Sequence, residues 1–245
     1  MKKTLPYLLA LLCIPLSLFG QTRPSHLGSF DNQKLHWGIQ VGYTMSKFDL
    51  RYSEDETLRK TILGVTSYYS PGFHIHVIGD LRLNDNFNLR LNDNFNLRLL
   101  PGITLISRDM SYSWSEEYTS THWKYDLKRN VESVYAELPF QVKFRAKRYT
   151  NFRPYLIAGA CFGYDCAALF KNKNNNEESI IRLNPVDLRY TAGVGFDFFL
   201  RYVKFAIELK MSLGFVDLKV MDDDYYTQST NNLLSRTFML SFTFE

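Results

Sequence analysis

Apolar and polar residues alternate from Val134 to Ala146. Every even-numbered position in this stretch is apolar, and most of the positions between them are polar. Because successive side chains of a β-strand point to opposite faces, the pattern predicts a strand with one apolar face. The run is longer than the typical globular strand of about 5–6 residues. Pro139 lies on the polar face and cannot donate to a neighbouring strand, and a bulge is one way to accommodate it.

The same alternation recurs along the chain and predicts eight strands, whose apolar faces begin at Trp37, Phe73, Leu97, Val134, Leu156, Tyr190, Val203 and Phe238. Runs of this length match the roughly 9–11 residues that a tilted strand needs to cross the hydrocarbon of a bilayer. A soluble sandwich would be built of shorter strands. Lipid also requires every backbone group to be paired, so such strands must close into a ring. We therefore predict an all-β fold, an eight-stranded antiparallel up-and-down transmembrane β-barrel with its apolar faces outward.

The lengths of the connections support this fold. Long connections are predicted at about Arg51 to Ser70, Tyr112 to Arg129, Lys171 to Asn184 and Asp217 to Asn232. Short connections fall between them, near Asn84, at Tyr149 to Asn151 and near Arg201. Outer-membrane barrels have short periplasmic turns and long outward loops. The regular alternation of long and short connections therefore predicts the cell outer membrane as the location.

The octet LRLNDNFN occurs twice in succession, at Leu81 to Asn88 and at Leu89 to Asn96. Asn and Asp tolerate the backbone angles of turns, so the duplication is expected to lengthen one periplasmic turn. An insertion of even length leaves the inward and outward positions of both flanking strands unchanged. The alternative is a projecting hairpin that docks a periplasmic partner. Two copies are too few for a solenoid.

The N-terminus has the features of an export signal, with Lys2 and Lys3 before a mainly apolar run from Leu8 to Phe19. We divide the chain into a signal peptide at residues 1–20, an N-terminal periplasmic segment at 21–34 and a barrel domain at 35–245. The net charge of +4 is too small to indicate a nucleic-acid partner. Cys161 and Cys166 would point to opposite faces of one strand, too far apart for a disulfide.

Four stretches together resemble the PorT family of outer-membrane barrels from the type IX secretion and gliding machinery. They are Val131 to Asp165, Ser70 to Leu83, Leu97 to Tyr112 and Leu234 to Glu245. The most specific features are an E-L-P-x-x-x-K-F-R segment, an R-x-x-N-x-R-P-Y turn and a P-G-F strand opening, present together. The resemblance implies a non-enzymatic role in exporting cargo proteins, with other secretion subunits as partners, and it brings no catalytic residues.

The faces predicted to point inward carry charges of both signs. The residues are His74, His76, Asp80, Arg82, Arg98, Arg108, Glu137, Lys143, Arg145, Asp165, Arg189, Asp197, Lys204, Glu208 and Lys210. An eight-stranded barrel has an interior just wide enough for side chains to fill it. Unpaired buried charges are unfavourable, so we expect a structural network of ion pairs across the interior. An ion or proton path is the alternative, and the barrel should not itself conduct proteins.

No cofactor, metal or small-molecule substrate is expected. His74 and His76 lie on one strand face, but two imidazoles alone do not make a zinc site. A lipid-modifying enzyme would need a nucleophile beside a base, and only His122 near Ser120 and Thr121 offers one. Three functions therefore stand as hypotheses: a secretion component contacting other subunits and membrane lipid, a general barrel for adhesion or envelope integrity, and a lipid-modifying enzyme.

Overall fold

The computed structural model describes residues 26–27, 33–52, 62–82, 94–114, 127–168, 183–220 and 230–245. Within these ranges the chain forms a 10-stranded antiparallel sheet. Its strands are β1 (Leu35–Tyr52), β2 (Ile62–Tyr68), β3 (Ser70–Arg82), β4 (Phe95–Leu99), β5 (Gly102–Trp114), β6 (Leu127–Arg145), β7 (Phe152–Asp165), β8 (Val186–Phe199), β9 (Lys204–Gly214) and β10 (Thr230–Phe244).

The sheet closes on itself as a ring of eight barrel strands. Strands β2 and β3 are two parts of one barrel strand interrupted at Tyr69, and β4 and β5 are two parts of another interrupted at Leu100 and Pro101. Each remaining strand pairs with its neighbours in sequence, and β1 closes the ring by pairing with both β10 and β3. The predicted eight-stranded antiparallel barrel is therefore confirmed. No helix in the described part of the chain is long and apolar enough to cross a membrane.

The predicted orientation of the strand faces is also observed. On β3 the side chains of Phe73 and Ile75 are 63% and 55% exposed, whereas His74 and His76, which alternate with them, are buried. On β1 the exposed side chains include Trp37, at 67%. Apolar residues thus cover the outside, and polar residues fill the inside, as a barrel surrounded by lipid requires.

Pro139 causes no bulge in β6. The strand keeps one register with β7 through the Pro139 to Cys161 pair. The Pro139 carbonyl accepts a hydrogen bond from the Leu100 amide at 3.0 Å. The irregular residues lie on the facing barrel strand instead, at Leu100 and Pro101 between β4 and β5.

Two short connections have the predicted positions. Tyr149 and Phe152 exchange backbone hydrogen bonds of 2.9 and 3.0 Å, and Thr150 between them has a φ of 53°. At the next short connection the Leu200 amide donates to the Val203 carbonyl at 3.0 Å. We call the barrel end that carries these connections the turn side, and the opposite end the loop side.

The strands extend further toward the loop side than predicted. Strand β1 continues to Tyr52, β5 to Trp114, and β6 begins at Leu127. The predicted bounds were set where the alternation of apolar and polar residues ends. Backbone pairing between strands continues beyond that point, as in the Tyr112 to Leu127 pair. The connections between β1 and β2 and between β5 and β6 are therefore shorter than the sequence indicated, whereas the one between β7 and β8 is longer.

The tandem octet preserves the strand faces on both of its sides. Leu81 pairs with Leu97 across β3 and β4, and both face outward, whereas Asp80 and Arg98 beside them are buried. This is the parity that an insertion of even length predicts. Residues 83–93, which include the middle of the duplication, lie outside the described residues.

Candidate functional site in the barrel interior

Glu208 is at the centre of a hydrogen-bonded group that we call the Glu208 cluster, formed with Gln40, Arg98, Tyr155 and Lys210. The Glu208 carboxylate accepts hydrogen bonds from Arg98 Nη1 at 2.5 Å, the Tyr155 hydroxyl at 2.7 Å and Gln40 Nε2 at 2.8 Å. Lys210 Nζ lies 3.1 Å from Glu208 Oε2, the oxygen that Gln40 also binds, and donates to Gln40 Oε1 at 2.7 Å. A buried carboxylate with this many donors is compensated for the loss of water.

Arg98 links the Glu208 cluster to the turn side. Its Nη2 donates to Glu245 Oε1 at 2.9 Å, and its Nε lies 3.4 Å from Asp80 Oδ2. Glu245, the last residue of the chain, also pairs with Lys204. Asn96 donates to the other oxygen of Asp80. One guanidinium therefore contacts three carboxylates from different parts of the ring.

Lys143 forms a further buried pair beside this group. Its Nζ lies 3.0 Å from both carboxylate oxygens of Asp197 and 3.6 Å from the centre of the Tyr155 ring. Four buried cations in this half of the interior pair with four carboxylates: Arg98, Lys143, Lys204 and Lys210 with Asp80, Asp197, Glu208 and Glu245. Paired charges suit a site from which bulk water is excluded.

A second group, the Glu137 cluster, lies nearer the loop side. Glu137 pairs with Arg189, whose Nε also lies 3.5 Å from Asp187 Oδ2. His76 Nε2 lies 3.4 Å from the second oxygen of Glu137. His74 is 5.1 Å from His76 between ring centres and shares a 3.0 Å hydrogen bond with the Ser241 hydroxyl. The described residues contain no group of three or more His, Cys, Asp or Glu that could hold a metal ion.

Arg108 marks the boundary between the charged interior and an apolar one. Its guanidinium donates to the Ser235 hydroxyl at 3.0 Å and to the Tyr135 hydroxyl at 3.4 Å. It also lies over the Phe48 ring, 4.6 Å from the centre. Stacking on an aromatic face stabilises a cation without a carboxylate partner.

Beyond Arg108 the loop side is closed by buried apolar side chains, which we call the apolar cap: Phe48, Val65, Met110, Leu183, Leu218 and Leu233. Leu183 and Leu218 come from connections outside the strands and are joined by a backbone bridge between Leu183 and Lys219. The Leu218 amide donates to the Leu233 carbonyl at 3.0 Å. The connections thus fold inward and cover the charged interior with apolar surface.

Glycines on the inner face make room for two interior side chains, Tyr155 and His76. A Cβ atom at Gly195 would lie 2.3 Å from the Tyr155 ring, and one at Gly102 would lie 2.4 Å from His76. Carbon atoms cannot approach so closely, so these side chains lie across neighbouring strands only because glycine is present there.

The predicted interior residues are all placed inward, but they do not form one network. Arg82 and Arg145 lie nearest the turns, half-buried and buried respectively. Asp165 differs from the expectation, because its Oδ1 accepts hydrogen bonds from the backbone amides of Ala167 and Ala168 at 2.9 and 3.3 Å. It caps the chain where β7 ends. His122, Ser120 and Thr121 lie outside the described residues.

The sequence reasoning missed Gln40, Tyr155, Asp187 and Glu245 as members of the network. Gln40 and Asp187 occupy inward positions of their strands, so strict use of the alternation would have found them. The apolar cap has no such signal, because apolar residues on a barrel strand are expected to face lipid.

A closed antiparallel ring with an apolar exterior and a charged, filled interior defines an outer-membrane β-barrel. Residues 19–220 match the family described as outer membrane protein beta-barrel domain, and the chain belongs to that family. It is an outer-membrane protein.

Similar solved structures are also outer-membrane or surface proteins. OprG of Pseudomonas aeruginosa has 12% identity and a TM-score of 0.45, covering 86% of this chain and 95% of that one. Neisserial surface protein A has 9% identity and a TM-score of 0.41, with coverages of 86% and 98%. Ail of Yersinia pestis, in complex with a heparin analogue, has 10% identity and a TM-score of 0.38, with coverages of 86% and 99%. No curated protein matches this sequence.

Proposed function

We propose that this barrel is a non-enzymatic component of the type IX protein secretion system, supporting translocation of cargo proteins or assembly of the translocon. The observation that carries the proposal is the resemblance to the PorT family in the E-L-P-x-x-x-K-F-R segment and the R-x-x-N-x-R-P-Y turn. The first of these corresponds to Glu137 to Arg145 of β6, and the second to Arg148 to Tyr155. The proposed partners are other secretion subunits and outer-membrane lipid.

The filled interior favours a role that is performed by surfaces. Arg98, Glu208 and Lys143 have no exposed area, and the apolar cap covers them toward the loop side. A cargo chain would have to displace these side chains and break their ion pairs, so the barrel would act through its turns and loops.

Deletion of the gene tests the proposal. We expect cells that lack the barrel to lose secretion of cargo carrying the type IX sorting domain, and a wild-type copy to restore it. Normal secretion in the deletion strain would refute the secretion role. Crosslinking from Lys147 and Arg201, which are exposed on the turn side, should capture secretion subunits in intact cells.

The alternatives have distinct outcomes in the same strains. Normal secretion together with lost adhesion or a leaky envelope would support a general surface barrel. The long, polar loop-side connections predicted from the sequence favour this alternative. We expect the purified protein to leave lipid A chemically unchanged. A change in lipid A that requires this protein would support an enzyme instead.

A further inference from the structure

The turn between β6 and β7 contacts a distant part of the chain through its backbone. We call residues Arg148 to Asn151 the RYTN turn. The His26 amide donates to Asn151 Oδ1 at 2.9 Å, and Arg148 Nη2 donates to the His26 carbonyl. The turn therefore binds both the N–H and the C=O of one residue, through the side chains of Asn151 and Arg148.

The Arg148 side chain and the Asn151 backbone are held in place by other contacts. The Arg148 guanidinium lies over the Phe199 ring, 3.6 Å from its centre, and its Nε donates to the Thr150 carbonyl at 2.7 Å. Phe199 donates its own amide to the Asn151 carbonyl at 2.9 Å. A site fixed in this way loses little conformational entropy when it binds a segment.

The contact joins opposite sides of the ring. The N-terminal segment enters β1 at Lys34, whose carbonyl accepts from the Arg82 amide at 2.9 Å. Around the ring, β1 and the RYTN turn are separated by the barrel strands β2/β3 and β4/β5 on one side and by β10, β9 and β8 on the other. His26 and Lys34 thus contact parts of the barrel about half the ring apart.

We propose that the RYTN turn is a docking site for the backbone of this protein's own N-terminal segment, which acts as a latch on the turn side. Recognition uses the N–H and C=O of His26, so the identity of its side chain is not required. The inference concerns the isolated chain and does not depend on the secretion role.

Photo-crosslinking in the full chain tests the latch. A benzophenone amino acid in place of Tyr149, an exposed aromatic residue of the RYTN turn, is expected to capture the segment around His26. His26→Pro removes the amide donor and should lower the crosslink yield about fivefold, the effect of losing one hydrogen bond. The matched control His26→Ala keeps both backbone groups and should leave the yield unchanged. Both substitutions lie outside the barrel strands, so folding is preserved.

Three outcomes would overturn the latch. The first is equal crosslinking in the His26→Pro and His26→Ala chains, and the second is no crosslink in the chain with His26 unchanged. The third is a crosslink between different copies, detected by mixing isotopically light and heavy chains. Loss of cargo secretion in cells has no bearing on these results, so failure of the latch and failure of the proposed function are distinguishable.

Discussion

Replacement of Arg98 by methionine tests whether the interior ion pairs stabilise the barrel. The substitution keeps a long side chain but removes the guanidinium that contacts Glu208, Glu245 and Asp80. Breaking a buried ion pair by removing one partner costs about 3–5 kcal/mol, because the remaining charge stays buried. Glu208 keeps its bonds from Tyr155 and Gln40, so we expect a loss of about 3 kcal/mol in the free energy of unfolding, the lower end of that range.

The pair between Arg236 and Asp49 provides a matched control. Its closest N to O distance is 2.5 Å, the same as between Arg98 and Glu208, but its side chains are 33% and 45% exposed rather than 0%. Exposed ion pairs contribute about 0–1 kcal/mol to the free energy of unfolding. Arg236→Met should therefore have a much smaller effect than Arg98→Met, although the chemistry and the distance are alike.

The measurement is reversible urea unfolding of the refolded protein in lipid vesicles, followed by tryptophan fluorescence. Trp37 is a suitable probe, since it lies on the lipid-facing side of β1 and leaves the bilayer on unfolding. A double-mutant cycle with Glu208→Gln should give a coupling energy of about 0.5–3 kcal/mol. Equal losses for Arg98→Met and Arg236→Met, or a coupling energy near zero, would refute the reasoning that burial makes the interior pairs important.

Three further predictions concern other parts of the barrel. Gly195→Ala should lower the free energy of unfolding by about 1–3 kcal/mol, because the new methyl group would overlap the Tyr155 ring; an unchanged urea midpoint would contradict this. Deletion of Leu89 to Asn96 should leave a folded barrel on a heat-modifiability gel, whereas deletion of one residue fewer should not, since it inverts the face of a strand; equal folding of both would contradict the parity argument. Cys161 is buried and Cys166 half-buried, so a maleimide should label Cys166 faster in the folded protein, with both recovered as free thiols by peptide mapping; a disulfide between them would contradict the structure.

The sequence predicts which way a side chain points, but not which residue it meets. The period of two places Glu208 and Arg98 inside, because one face of each strand must be apolar toward lipid. Their pairing is a different matter. It joins residues 110 positions apart, and it depends on the stagger between strands around the whole ring. Nothing in the local pattern of either strand encodes that stagger.

The apolar cap is a part of the interior that the alternation of apolar and polar residues does not predict. Phe48 and Met110 occupy inward positions of β1 and β5, where the alternation predicts polar residues. They are buried because Leu183 and Leu218 fold in from the connections and remove water from the loop side. The alternation rule assumes lipid on one face of a strand and a polar interior on the other. It cannot predict an apolar interior, which forms only when the connections pack over the barrel end.

The two ends of the barrel are closed by different chemistry, and this bears on how the protein can act. Toward the loop side the Phe48 ring of the apolar cap lies against Arg108, and toward the turn side the guanidinium groups of Arg148 and Arg153 lie 3.6 and 5.3 Å from the centre of the Phe199 ring. Between the two ends lie buried ion pairs, such as Lys143 with Asp197 and Arg189 with Glu137. Opening a path would require breaking several such pairs at once, at a cost of about 3–5 kcal/mol each. A barrel of total stability about 5–15 kcal/mol could not open in this way and remain folded. The proposed contribution to protein export must therefore come from the turns, the loops and the lipid-facing surface. One of those turns carries the motif residues Arg148 and Asn151, which bind the backbone of His26.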